Sequence, residues 1–241
     1  MAFSDLTPIA SYLDAHADGK AGVFDAGQLH PIVTISRQCG ARGSLIAEKA
    51  VPLLTARDGG RPWIVMDGAL AGKVVEEHRL PERIARFLTE EESSRIEGAV
   101  EELLGLHPSR WTLVEKMVQT ILSLAQIGRV IFVGRAAHVV TANFPHSFHI
   151  RIVAPREMRV RRMMELLNLT EAEAALYVAK VDKQRKVLVR RHFSRDIDDP
   201  EEYHFLINTG RVSFDDAARL IAELVLPSSS GLPAPPGAPA C

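Results

Sequence analysis

The stretch IVTISRQCGARGSLIAEK, residues 32–49, constrains the fold more than any other part of the sequence. A short β-branched run leads into a turn that contains Gly40 and Gly43, and the turn leads into a helical pattern. Because glycine has no Cβ, the backbone of this turn can come close to a ligand, and the free N–H groups at the start of the helix favour an anion there. The stretch is therefore either a phosphate-binding loop or simply a tight turn between a strand and a helix.

The loop departs from the pattern G-x-x-x-x-G-K-[ST], in which a lysine contacts the phosphates. Ser36 or Arg37 occupies the position of the first glycine, and Gly43 lies near the position of the lysine. Arg42 is a candidate for the missing positive charge, and the hydroxyl of Ser44 is a candidate ligand of Mg²⁺.

Short, mostly apolar runs alternate with helical patterns along most of the chain, as expected for a sheet of buried parallel strands. Four helix starts carry capping patterns, with Thr89 followed by Glu92, Thr112 by Glu115, Thr170 by Glu173 and Ser213 by Asp216. The alternation predicts a doubly wound α/β fold with a five-stranded parallel sheet, whose ligand site lies beyond the carboxyl ends of the strands. The predicted strands are IVTIS (32–36), WIVM (63–66), VIFV (130–133), FHIRIV (148–153) and HFLIN (204–208).

The pattern divides the chain into a central domain and two flanking segments. Residues 1–30 carry one short amphipathic pattern and a link rich in glycine and aspartate, and residues 227–241 are rich in proline, glycine and serine, which predicts disorder. Residues 31–226 form the predicted domain. It contains a largely helical region at 69–128 and a basic, helical, lid-like region at 156–200.

Charge and composition narrow the class of partner. The net charge of the 241 residues is −1, yet residues 151–195 hold nine arginines and three lysines against five acidic residues. Such a local excess points to a small anionic ligand more than to a general nucleic-acid surface. No apolar run reaches membrane-spanning length, the two cysteines make no disulfide framework, and the nine histidines show no metal-ligand spacing. We therefore expect a cytoplasmic protein that binds neither membranes nor nucleic acids.

The arginines of the basic region form a second candidate site. Arg159 and Arg162 fall near one side of a helix, and Arg185 and Arg191 follow in a later helical pattern. Guanidinium groups stabilise the negative charge that spreads over a migrating phosphoryl group, and a mobile lid excludes water from such a reaction. The alternative is an exposed pair of helices whose arginines pair with carboxylates.

The loop and three further parts of the sequence together resemble the cytidylate kinase-like family, a divergent branch of the nucleoside monophosphate kinases with the P-loop NTPase fold. The likeness covers about residues 32–225, and the order and spacing of the motifs agree with the family. The further parts are MDGALAGKVVEEH (66–78), GRAAHVVTANFPHSFHIRIVAPREMRVRRM (134–163), and VDKQRKVLVRRHFSRD together with FLINTGRVSFDDAARLI.

The resemblance implies transfer of the γ-phosphoryl group of ATP to a nucleoside monophosphate, with Mg²⁺ as cofactor. It implies that Ser44 lies on the metal and that Arg159 and Arg162 border the adenine side of a lid helix. The residues that it places on the ATP phosphates are Gly40, Ala41, Arg42, Gly43 and Ser44.

The resemblance also implies an acceptor side and a lid. Asp67 and Arg135 would face the acceptor nucleotide, with Arg135 on its phosphate. Asp182 would close over the phosphates on the substrate side. The implied catalytic cations are Arg42, Arg185 and Arg191.

Two departures from the family pattern leave alternatives open. The lysine of the loop is absent, and the family's Gly-Arg-Asp segment reads Gly-Arg-Ala, with Ala136 in place of a carboxylate near the acceptor. A hydrogen-bonding group can carry strong discrimination between substrates, so the loss of this carboxylate bears on cytosine recognition. One alternative is a kinase for a different small acceptor. The other is a nucleotide-binding sensor with little catalysis.

Overall fold

The computed structural model describes residues 30–67 and 113–227. The predicted N-terminal appendage, most of the helical region at 69–128 and the tail beyond residue 227 lie outside these residues.

Five parallel strands form one sheet in the order β2-β3-β1-β4-β5. This topology confirms the predicted α/β fold with a five-stranded parallel sheet. Two predicted strands begin one residue early, because Trp63 and His204 precede the strands rather than belong to them. The strands are β1 (Ile32–Arg37), β2 (Ile64–Met66), β3 (Val130–Val133), β4 (Ser147–Val153) and β5 (Phe205–Asn208).

Two of the described helices begin at capping residues that the sequence predicts, and the predicted caps at Thr89 and Thr112 lie outside the described residues. The side-chain oxygen of Thr170 accepts a hydrogen bond from the Glu173 N–H, and Ser213 accepts one from the Asp216 N–H, which confirms these two predicted caps. The helices are α1 (Gly43–Arg57), α2 (Leu113–Ile127), α3 (Ala137–Val140), α4 (Arg156–Leu167), α5 (Glu171–Phe193) and α6 (Phe214–Val225), with a 3₁₀ turn at Pro200–Glu202.

Alternating side chains of the strands build two cores, one on each face of the sheet. Val33 and Ile35 of β1 pack into a cluster with Ile46 of α1 and Ile221 of α6. Ile32 packs on the opposite face, in a cluster with residues of α2 and α3. Helices therefore cover both faces, as a doubly wound sheet requires. None of the described helices has the length and apolar character to cross a bilayer.

The second face carries buried polar pairs where β1 and β4 lie side by side. The Thr34 hydroxyl lies 2.8 Å from Nδ1 of His149. Arg151 donates hydrogen bonds to the Ser36 hydroxyl, at 2.8 Å, and to the Asp198 carboxylate, at 2.7 Å. These pairs satisfy the polar groups inside the sheet and fix the end of β1, from which the glycine loop starts.

Helices α4 and α5 form a hairpin that packs on the carboxyl edge of the sheet. One small apolar cluster joins Val160 of α4 and Val178 of α5 to Cys39 of the glycine loop. A second cluster joins Val189 of α5 to Ala136, just after β3. The predicted lid is thus a helical hairpin in contact with the loop.

Candidate phosphate-binding site

The loop between β1 and α1 has a backbone conformation that its glycines make possible. Gly40 has a φ of +78° and Arg42 a φ of +65°, both in the left-handed region. A Cβ at Gly40 would lie 2.6 Å from the carbonyl oxygen of Arg159. Gly40 is therefore required twice, once by its φ and once by the close approach of α4.

Three arginines of the hairpin bind the carbonyl side of this loop. Each donates a hydrogen bond from Nη1 to a main-chain oxygen, so the carbonyl groups are turned toward α4 and α5. The pairs are Arg185 with Arg37, Arg159 with Cys39 and Arg162 with Gly40, at N···O distances of 2.9, 3.1 and 3.2 Å.

Asp182 of α5 joins the loop to the hairpin. Its Oδ1 accepts a hydrogen bond from the Cys39 N–H at 2.7 Å, and its Oδ2 accepts one from Nη1 of Arg159 at 2.7 Å. Arg159 is buried, with 8% of its surface exposed. Asp182 thus supplies the negative charge that this buried guanidinium needs.

The main-chain N–H groups of the loop differ from its carbonyl groups in their hydrogen bonding. In the part of the chain that the structure describes, the main-chain N–H groups of Gly40, Arg42, Gly43 and Ser44 have no hydrogen-bond acceptor. These four donors lie around the N-terminus of α1, where the helix dipole also favours negative charge. The loop therefore has the donors of an anion-binding site.

Arg37, at the end of β1, extends its side chain along the loop. A Cβ at Gly43 would lie 3.0 Å from the Cβ and Cγ of Arg37, and a Cβ at Gly134 would lie 1.8 Å from its Nη1. The side chain thus runs past the start of α1 and ends over the residue that follows β3.

A pocket of about 260 Å³ lies at the carboxyl ends of β1 and β3, beneath α5. Its polar lining includes Arg37, Arg135 and Arg185, and among the described residues that line it there is no carboxylate. Apolar side chains of α5, among them Val181 and Leu188, complete the wall. The pocket suits a small anion with an apolar part.

The electrostatics of this pocket are strongly positive. Burial and then the charge of Arg185 lower the pKa of Arg37 to about 9, with Arg135 adding a smaller effect in the same direction. The nearby Asp67 carboxylate raises that pKa in part. Arg37 still carries its proton at neutral pH, so three guanidinium groups converge on one pocket.

A second pocket, of about 290 Å³, lies on the other side of Arg185. Its lining combines Arg151 and Lys186 with the carboxylates Asp182 and Asp198. These charges are paired within the protein, since Asp198 accepts from both Arg151 and Lys186. The first pocket is therefore the better candidate for an anionic ligand.

The remaining residues predicted for the site are distributed as follows. Asp67 follows β2 and Arg135 follows β3, at the same edge of the sheet as the loop. Arg42 lies close enough to Arg162 to lower its pKa, although burial is the larger cause. Arg191 is an exposed residue of α5 and lines neither pocket.

Two residues predicted to contact phosphate or metal lie in the loop and just after it. Ala41 is a buried residue of the loop, and Ser44 lies in the first turn of α1. Among the residues described, no group of three or more His, Cys, Asp or Glu side chains could hold a metal ion.

Sequence reasoning did not assign Arg37 to the site. The available signal was a charged residue at the end of a buried strand, in the position where a phosphate loop has its first glycine. The side chain of Arg37 lies against Gly43 and Gly134, and Gly134 is far from Arg37 in the sequence.

The sequence model of the cytidylate kinase-like family matches residues 32–211, which include all five strands, the loop and the hairpin. This chain belongs to the cytidylate kinase-like family. An uncharacterized protein from Eubacterium ventriosum ATCC 27560 has a similar structure, with a TM-score of 0.62 and 21% identity over 81% of this chain and 98% of that chain. The similarity shows a shared fold.

Two other comparisons are more distant. Shikimate kinase from Acinetobacter baumannii, in complex with shikimate, superimposes with a TM-score of 0.41 and 15% identity, over 86% of this chain and 98% of that chain. Uronate isomerase of Corynebacterium glutamicum is 29% identical over 93 residues, which are 39% of this chain and 18% of that enzyme. The chain thus spans about a fifth of the isomerase.

Proposed function

We propose that this protein transfers the γ-phosphoryl group of ATP to a nucleoside monophosphate. The family supports a kinase-like, nucleotide-binding protein, and the donor, acceptor and reaction are our proposal. The observation that carries it is a set of four main-chain N–H groups at the N-terminus of α1 that have no acceptor among the described residues, those of Gly40, Arg42, Gly43 and Ser44.

In this proposal the loop holds the triphosphate tail of ATP. Main-chain donors suit phosphate oxygens because they are fixed in place before the ligand arrives. The arginines on the carbonyl side of the loop act indirectly, since their hydrogen bonds keep the amides turned toward the ligand. Mg²⁺ would neutralise charge on the triphosphate, with the Ser44 hydroxyl as its protein ligand.

The acceptor occupies the pocket beneath α5 in this proposal. Arg135 binds its phosphate, and Arg185 lies between this pocket and the loop, where charge develops during transfer. The apolar side chains of α5 exclude water, which would otherwise accept the phosphoryl group. Arg191 stays a predicted catalytic residue only if α5 reorients when nucleotide binds.

A coupled assay for ADP release, with MgATP and a panel of acceptors, tests the proposal. The panel contains CMP, dCMP, UMP and AMP, together with small hydroxyl compounds. We expect turnover with at least one monophosphate and a loss of at least tenfold in kcat/KM for Arg135→Ala, since a charged hydrogen bond to phosphate is lost. Arg219→Ala is the matched control, because Arg219 is an exposed residue of α6 that pairs with Asp216.

A second candidate function is a nucleotide-binding sensor. It is favoured by the sequence Gly134-Arg135-Ala136 after β3, which lacks the carboxylate of the family's segment. ATP-dependent thermal stabilisation without ADP release for any acceptor would support the sensor and contradict the kinase. If only a hydroxyl compound is turned over, the proposed phosphoryl transfer is supported but the proposed acceptor is wrong.

A further inference from the structure

The position at which phosphate loops carry a lysine holds Gly43 in this chain, and the structure shows what fills that space. A Cβ on Gly43 would meet the Cβ and Cγ of Arg37 at 3.0 Å and Cγ2 of Ile35 at 3.2 Å. A side chain at residue 43 would therefore press against the side chain of Arg37, which would have to shift by a few tenths of an ångström.

A second glycine makes room for the other end of Arg37. At Gly134 a Cβ would lie 1.8 Å from Nη1 and 2.8 Å from Cζ of Arg37. Only a residue without a side chain leaves space for the guanidinium at this point. Gly43 and Gly134 together form a slot that one arginine side chain occupies, from the end of β1 to the end of β3.

Within the described residues, few groups neutralise the guanidinium in this slot. Within the described residues it donates no hydrogen bond and lies within 4 Å of no carboxylate oxygen. Arg185 and Arg135 add positive charge nearby. Among the described residues, the carboxylate of Asp67 acts in the opposite direction and raises the pKa of Arg37 in part. A partly buried cation without a partner is unfavourable, and a bound anion would relieve this cost.

We infer that Arg37 supplies the positive charge that a lysine supplies in other phosphate loops, and that it contacts the terminal phosphates of the bound nucleotide. This inference rests on the proposed function, because it assumes that the loop binds a triphosphate. It also gives Arg37 the role for which the sequence suggested Arg42. Arg42 lies at the left-handed position before α1, and its charge acts on Arg162.

Substitutions at positions 37 and 43 test the inference, because both side chains would use the same slot. Arg37→Gly combined with Gly43→Lys removes the arginine and introduces a lysine into the space that the arginine leaves. Arg37→Met removes the charge but keeps a side chain of similar length in the slot, so it serves if smaller residues destabilise the fold. Arg219→Ala again serves as the control.

Binding of the magnesium complex of a non-hydrolysable ATP analogue, the β,γ-imido form, is measured by calorimetry for each protein, and AMP is measured in parallel. We expect Arg37→Met to weaken binding of the analogue by at least tenfold while the affinity for AMP changes by less than threefold. The exchanged double variant should bind the analogue within about threefold of the wild type, whereas Gly43→Lys alone should bind it less well.

Two results would overturn the inference alone. In one, the wild type binds the analogue and Arg37→Met binds it within twofold of the wild type. In the other, Arg37→Met loses AMP affinity as much as analogue affinity, which would place the arginine elsewhere on the nucleotide. A folded wild type that binds no analogue would overturn the proposed function and the inference together, so the two failures are distinguishable.

Discussion

The contact between Asp182 and the loop allows a quantitative test of how the hairpin holds the loop. Asp182 makes two hydrogen bonds of 2.7 Å, to the Cys39 N–H and to Arg159. Removing one partner of a buried ion pair costs ~3–5 kcal/mol, because the other charge is left without compensation. The side chains of Arg159 and Asp182 are 10% and 29% exposed, so water screens part of this cost. We expect Asp182→Ala to lower the free energy of unfolding by about 3 kcal/mol.

Asp215→Ala is the matched control for this change. Asp215 pairs with Lys49 at the same distance, 2.7 Å, but the two side chains are 64% and 38% exposed. An exposed pair of this kind contributes about 0.5 kcal/mol or less. Asp182→Asn is an intermediate case, since its amide oxygen can still accept from the Cys39 N–H.

Urea denaturation at pH 7, followed by circular dichroism, measures the three variants against the wild type. In thermal unfolding the Asp182→Ala change corresponds to a fall in Tm of about 6–12 °C for a domain of this size. If Asp182→Ala destabilises the protein no more than Asp215→Ala, Asp182 does not hold the loop. The substrate contact that the family resemblance implies would then be the remaining proposal for this residue.

Two further predictions concern backbone strain and pH. Arg42→Gly should leave the free energy of unfolding unchanged or raise it by up to about 1 kcal/mol, because glycine adopts a φ of +65° without strain. Urea denaturation measures this change. A loss above about 1 kcal/mol would mean that the Arg42 side chain stabilises the fold. Burial lowers the pKa of His138 to about 4 and that of His149 to about 3, from an ordinary value of 6.5. Below pH 6.5 the unfolded chain binds protons that the folded chain does not, so stability is lost as the pH falls from 6.5 toward 4. Between pH 7 and pH 5 we expect the free energy of unfolding to fall by about 4 kcal/mol through these two residues. A variant with glutamine at both positions should show a weaker pH dependence, and equal stability of the wild type at the two pH values would contradict the reasoning.

Much of the fold could be predicted from the sequence, because local signals and tertiary structure agree. The apolar runs at 32–36 and 130–133 are buried strands, and the caps at Thr170 and Ser213 start helices as expected. β4 shows where the pattern of apolar residues does not predict burial. Its His149 and Arg151 are buried in the sheet, and their partners on β1 are more than a hundred residues away in sequence.

The site was predicted less completely, since its geometry depends on the direction of side chains. The cluster of arginines could be read from the sequence, but not that three of them bind main-chain carbonyl groups of the loop. The family resemblance suggested a place for Asp182 near the phosphates, but it gave no sign of the hydrogen bond from the Cys39 N–H. Arg37 was missed because the two glycines that accommodate it lie at the ends of different elements.

Binding of a triphosphate by the loop is the central claim, and one titration tests it most directly. The 241-residue protein, with magnesium and with folding verified by circular dichroism, is titrated with the β,γ-imido ATP analogue and then with inorganic tripolyphosphate as competitor. We predict a Kd below about 1 mM for the analogue and its displacement by tripolyphosphate but not by adenosine, because main-chain amides and guanidinium groups bind the phosphates. Absence of association at millimolar analogue, or displacement by adenosine alone, would contradict the account.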